Sequence, residues 1–184
     1  MIPRFPPIVR RGAISAVALA CVAGAANSQS AMPPHNIPPS LAAEHAETMD
    51  RLQLLAARPG EVGAVARKAL DVFRQHAERE RDYIMPPLTL LPQLAEGKVT
   101  PDMAWALAMA DRVKADREKI FEEHTMVTDI ANALLAAGQR AHDAEAVEFA
   151  KAAVTDSLND IEILEPAVVM IGDYLRAKMP TAAR

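Results

Sequence analysis

The chain has 184 residues, 51% of them hydrophobic and 4% aromatic, with one cysteine and a formal charge of −4 at neutral pH. That length fits one domain with a core of its own, and the mild acidity makes nucleic acid a poor partner. Alanine is plentiful and few segments show the Val/Ile/Thr/Tyr alternation of strands, so packed helices are expected.

Residues 1–11 carry Arg4, Arg10 and Arg11 and no acid, and the uncharged run GAISAVALACVAGAA follows over 12–26. A basic start, a short apolar run and small residues at Ala23 and Ala25 predict a secretory signal peptide over 1–26. The run is shorter than the roughly 20 residues that span a bilayer as a helix. A periplasmic or secreted protein is expected, with contact to the membrane only through this leader if it stays uncleaved or is lipidated. The single cysteine, Cys21, stands in ALAC, close to a lipoprotein signal, but Ala18 lies where a larger aliphatic residue is expected. Cleavage after Ala25 or Ala26 leaves no thiol for a disulfide or a nucleophile. It also removes three arginines and no acid, taking the formal charge from −4 to −7.

Residues 27–39 form a proline-rich linker that includes His35, read as solvated. Four helical segments follow and make up the domain over 40–178. The first has Ser40 as N-cap and Glu44 near the capping-box position, and it stops at the Arg-Pro-Gly of 58–60. The second runs from about Glu61 to Met85 and ends at Pro86-Pro87, with an irregular connection over 88–99. The third opens at Thr100-Pro101 and runs to about Ala137, with Gly138 as its stop. The fourth runs from about Asp143 to Lys178, kinked at Pro166. Short connections make neighbouring helices antiparallel, giving an all-α, up-down four-helix bundle.

The helix faces carry the functional signal. On the second segment Val62, Ala66, Ala69, Phe73, His76, Glu80 and Tyr83 recur at steps of three and four, so His76 and Glu80 sit inside the core stripe. His45 holds the same place on the first segment and His124 on the third, whereas His142 falls in a loop. Buried imidazoles and a buried carboxylate cost free energy unless partnered, about 1–3 kcal/mol for each polar group. A shared metal ion satisfies them together.

The order of His45 in AEH, His76-xxx-Glu80 closing on a proline, and His124 in EEH resembles the hemerythrin-like, HHE cation-binding family over roughly residues 40–175. The resemblance implies a four-helix bundle with a non-haem di-iron centre, whose fourth helix supplies a second His-xxx-Glu pair. This chain departs there, because its fourth segment has no histidine. Aligning Pro86 with Pro166 puts Asp156 in the place of His76 and Asp160 in that of Glu80. Two stripes compete on this segment. One holds Phe149, Ala153, Asp156, Asp160, Ile163, Ala167, Met170 and Tyr174; the other holds Val147, Val154, Leu158, Ile161, Glu165, Val168 and Leu175. The alignment favours the first, with Asp156 and Asp160 as ligands.

The function expected is that of an exported, hemerythrin-like iron protein that binds or senses oxygen or handles iron, with His45, His76 and His124 as nitrogen ligands and Glu80 placed to bridge. Replacing an imidazole by Asp156 makes the centre harder and more anionic, which weakens the case for oxygen carriage and admits a single metal, zinc or manganese. The alternative is a metal-free helical scaffold with a degenerate site. Nine methionines scattered through core stripes do not point to copper. No Ser-His-Asp arrangement, phosphate loop or cysteine nucleophile marks an enzyme, and no protein partner is readable.

Overall fold

The computed structural model describes residues 35–179, and every regular element among them is helical. The leader, Cys21 and the first part of the linker lie outside the described residues. No described helix is long and apolar enough to cross a membrane.

Helix α1 spans Pro39–Ala56. It begins one residue before Ser40, on Pro38, with no side-chain cap, because prolines in a first turn give up only N–H groups that have no helical partner anyway. His35 is not simply solvated: its ring stacks on that of Trp105 at 3.9 Å.

After a tight turn at Gly60 (φ 76°), α2 runs over Gly60–Arg79. It passes without a break into a π turn, Glu80–Ile84, and then α3, Met85–Leu88. The helical path therefore continues through Pro86-Pro87 instead of ending there. Proline at 86 has no N–H to give to the carbonyl four residues back, and the wider π turn just before it leaves room for the ring. The connection after it is also more regular than expected and includes a short helix α4, Leu91–Ala95.

The third segment is divided. A 3-10 turn, Pro101–Ala104, leads into α5, Trp105–Ala115, and a break at Asp116 separates it from α6, Arg117–Ala141. Asp116 is held there by the Tyr83 hydroxyl, which donates to its carboxylate at 3.1 Å. Gly138 does not stop the helix; α6 ends at His142, in left-handed conformation at φ 54°. The glycine serves a different purpose, since a Cβ there would lie 3.1 Å from the Ala146 Cβ, so its absence lets the next helix approach.

Helix α7, Ala144–Asn159, is capped by Asp143, which accepts from the Ala146 amide at 3.1 Å. A second π turn, Asp160–Leu164, joins it to α8, Glu165–Lys178, with Pro166 in its first turn. The two π turns occupy equivalent places ahead of Pro86 and Pro166.

Helix α1 packs on α2, α2 on α6, α6 on α7 and α5 on α8. Two apolar clusters result. One gathers Leu52, Leu55, Ala66, Leu134, Ala146 and Phe149; the other gathers Tyr83, Ile84, Met109, Ile120, Ile171 and Leu175. Along α2, α6 and the α7–α8 path, the residues between these clusters include His76, Glu80, His124, Asp160 and Glu165. The helical framework thus places a polar layer between two dry ones.

Candidate metal centre

Four side chains from three helical paths converge in that layer. Ligand atoms of His76, Glu80, His124 and Asp160 all lie within 4.8 Å of one another. His76 is 5% exposed, Glu80 1% and His124 fully buried, so water satisfies few of these groups. His45 joins through Glu80, its Nε2 3.0 Å from Oε2, while the His76 Nε2 lies 3.4 Å from the same oxygen. The rings of His76 and His124 meet edge to face at 4.7 Å between centroids.

Glu165 lies on the stripe that the proline alignment did not favour. It is buried, and its Oε1 stands 3.2 Å from the His124 Nε2. The two stripes of the fourth segment exchange roles at the π turn. Before it, Phe149, Asp156 and Asp160 turn inward; after it, Glu165, Val168 and Leu175 do, and Ile163 and Met170 become exposed. One extra residue in the turn shifts the phase of everything beyond it. The aspartates and Glu165 were alternatives only for an unbroken helix. Asp156 itself is half-buried, lines the cavity described below and stands outside the tight group of four.

The short contacts do not complete these groups. Both Glu80 oxygens, the His124 Nε2, the Glu165 Oε1 and the His45 Nδ1 are buried without a hydrogen-bond partner, so the carboxylates and imidazoles approach one another without hydrogen-bond alignment. Lone pairs left open in this way cost about 1–3 kcal/mol each. A cation among them removes that cost, and imidazole nitrogens with carboxylate oxygens form a donor set that iron, manganese and zinc accept. The residues present therefore fit a metal ion.

One imidazole is also oriented. Ser157, buried beside His124, has its Oγ 3.1 Å from Nδ1, donates to the His124 carbonyl at 3.4 Å and accepts from the Thr128 hydroxyl at 3.3 Å. With its proton given to the carbonyl, the hydroxyl would accept from Nδ1; in that tautomer Nδ1 carries the hydrogen and the Nε2 lone pair is free for the cluster.

The charges follow from burial. Burial pushes the His76 imidazole down to about 4, against the pull of Glu80, so the ring is neutral and its lone pair free near pH 7. Burial alone would raise the Glu80 carboxyl, but the approach of His45 and the neighbouring His76 and His124 hold it below the ordinary carboxylate range. Asp160 is pushed up to about 9, first by burial and then by Glu80, Glu44, Asp156 and Glu165. Glu44 is raised by burial and then by Asp156. Near pH 7 Asp160 therefore carries a proton while no cation is near, and a cation among these groups would favour its carboxylate form.

Beside the centre is a cavity of about 40 Å³, with Glu44, His45, His76, Asp156 and Asp160 on its polar side and Leu52, Phe73, Leu134 and Phe149 on its apolar side. At about 10–15 Å³ per water, it has room for about three waters or a small ligand.

Compared with protein-family models, curated proteins and solved structures, the chain matched none. What it does has to be argued from its own side chains.

Proposed function

We propose that this is an exported metal-binding protein with a non-haem iron centre of one or two ions in the polar layer of a hemerythrin-like bundle. The reading takes α1, the α2–α3 path, the α5–α6 path and the α7–α8 path as the four arms of an up-down bundle. A single observation carries it: ligand atoms of His76, Glu80, His124 and Asp160, the first three on buried residues, lie within 4.8 Å of one another. His45 and Glu165 flank them with unpartnered atoms of their own. In this reading His45, His76, His124, Glu80, Asp160 and Glu165 would hold the metal, with Glu80 approached by His45 and His76 and Glu165 by His124. Asp156 serves from the cavity wall.

Bound iron would supply one-electron redox chemistry and affinity for dioxygen. The protein's own groups set the conditions for it. Ser157 orients the His124 lone pair, apolar clusters on either side keep bulk water out, and the small cavity gives a diatomic ligand room beside the centre. Carboxylates from Glu80, Asp160 and Glu165 favour the more highly charged state of the metal, which suits iron handling or redox sensing better than oxygen carriage. Manganese or zinc would meet the same donors.

The competing reading, a metal-free scaffold, draws on the same contacts: His45 with Glu80 and His124 with Glu165 bring opposite potential charges together without any ion. Elemental analysis after anaerobic iron loading separates the two. One to two iron atoms per chain supports the centre; a metal-free chain with unchanged thermal stability supports the scaffold.

A further inference from the structure

Several openings flank the buried centre, and two of them differ in charge. The first is the mouth of the 40 Å³ cavity between α1 and α7. Glu44 is exposed there, Asp156 and Asp160 are half-exposed, and His45 and His76 stand on the inner wall. His45 is 7% exposed and its Nδ1 has no partner. The second is a groove between α5, α6 and α8, whose inner wall includes Glu165 and whose rim carries Lys114 and Arg117. Lys114 is engaged by Asp173 at 2.5 Å, and among the described residues no carboxylate lies within ion-pair distance of Arg117.

The carboxylates at the first opening attract a divalent cation more strongly than the second, where Arg117 stands at the rim. We infer that Glu44, with Asp156, forms an outer cation-binding site at the cavity mouth, where a divalent metal ion is captured before it passes to the buried ligands. This rests on the metal-centre reading and adds to it the residue that governs uptake. Glu44 suits capture rather than final ligation: it is solvent-exposed and stands outside the group of four whose ligand atoms converge. An exposed carboxylate holds a hydrated ion loosely and gives it up quickly, while His45 and His76 directly behind it hold a dehydrated one. A cation arriving at an acidic mouth is also concentrated there by the field, an effect that ionic strength weakens.

The test is stopped-flow uptake of cobalt(II), followed by its visible absorption, in the full chain and three variants at low and high salt. Glu44→Gln removes the charge at the mouth; Glu118→Gln removes one from an exposed position at the start of α6; Met170→Trp, at a residue 70% exposed, narrows the basic groove without touching the core. The expected result is an association rate lowered about three- to tenfold in Glu44→Gln only, with a flattened salt dependence. Equilibrium affinity and the final cobalt spectrum should stay within about threefold of the parent. An unchanged rate in Glu44→Gln, or slowing in Met170→Trp instead, overturns the capture site and leaves the centre standing. An affinity loss beyond about threefold that matches the rate loss makes Glu44 a direct ligand and overturns it too. A chain that takes up no cobalt overturns the centre, and the capture site with it.

Discussion

The Glu165 amide donates to the Asp160 carbonyl across the π turn, and both side chains reach the same buried layer. In an unbroken α-helix, two residues five apart diverge by more than a quarter turn. Here the wide turn brings both to the centre. Asp160→Asn and Glu165→Gln should therefore each lower iron affinity, by about 100-fold or ~2.7 kcal/mol. Ile163→Gln, at an exposed position on the same turn, should leave affinity alone and shift stability by no more than ~0.5 kcal/mol. Iron affinity and melting temperature of the three variants check this; a normal affinity in either acid variant removes that residue from the site.

His76→Ala should weaken iron binding most among the single ligand changes, because the ring also stands beside Glu80 and His124. Its loss leaves a nearly inaccessible carboxylate with one approaching imidazole instead of two, and metal-free stability should fall by about 1–3 kcal/mol. Chemical denaturation with and without iron measures both effects.

Ser157→Ala should lower metal affinity about tenfold or more while moving metal-free stability by only ~1 kcal/mol, since the change frees His124 to choose the other tautomer. Ser157→Thr keeps the hydroxyl and should restore most of the affinity. Equal losses in both variants would reduce Ser157 to a space-filling role.

Four of these residues could be read from the sequence for one physical reason. His45, His76, Glu80 and His124 fall on apolar stripes, and helical geometry converts stripe position into burial. Asp160 was reached by aligning the two prolines, which works because each proline follows a π turn in the same place. Glu165 stands on the stripe that the alignment sets aside, because periodicity assumes a constant phase and makes the two stripes exclusive, whereas the residue inserted in the π turn lets each face inward in turn. The break at Asp116 is illegible for a different reason: Asp116 is held by a hydroxyl from Tyr83, distant in the chain, and local propensity carries no trace of that bond. Gly138 misled because glycine stops helices through its backbone freedom, whereas here its missing side chain makes room for α7.

The leader makes an independent prediction. Three arginines without an acid ahead of a short apolar run place the mature N-terminus between residues 26 and 31. Intact mass of the protein from its native host checks it, and a mass that includes residues 1–25 contradicts it.

The central claim is that the polar layer holds metal, and iron content is its most direct test. The full chain, loaded with iron(II) without oxygen and then freed of loose metal, should retain one to two iron atoms and melt at a higher temperature than the metal-free chain, because an ion bound only by the folded state stabilises it. The same treatment of a His76→Ala, His124→Ala double variant should retain almost none. Iron below about 0.1 per chain in the parent, with a melting temperature that iron does not move, would contradict the claim.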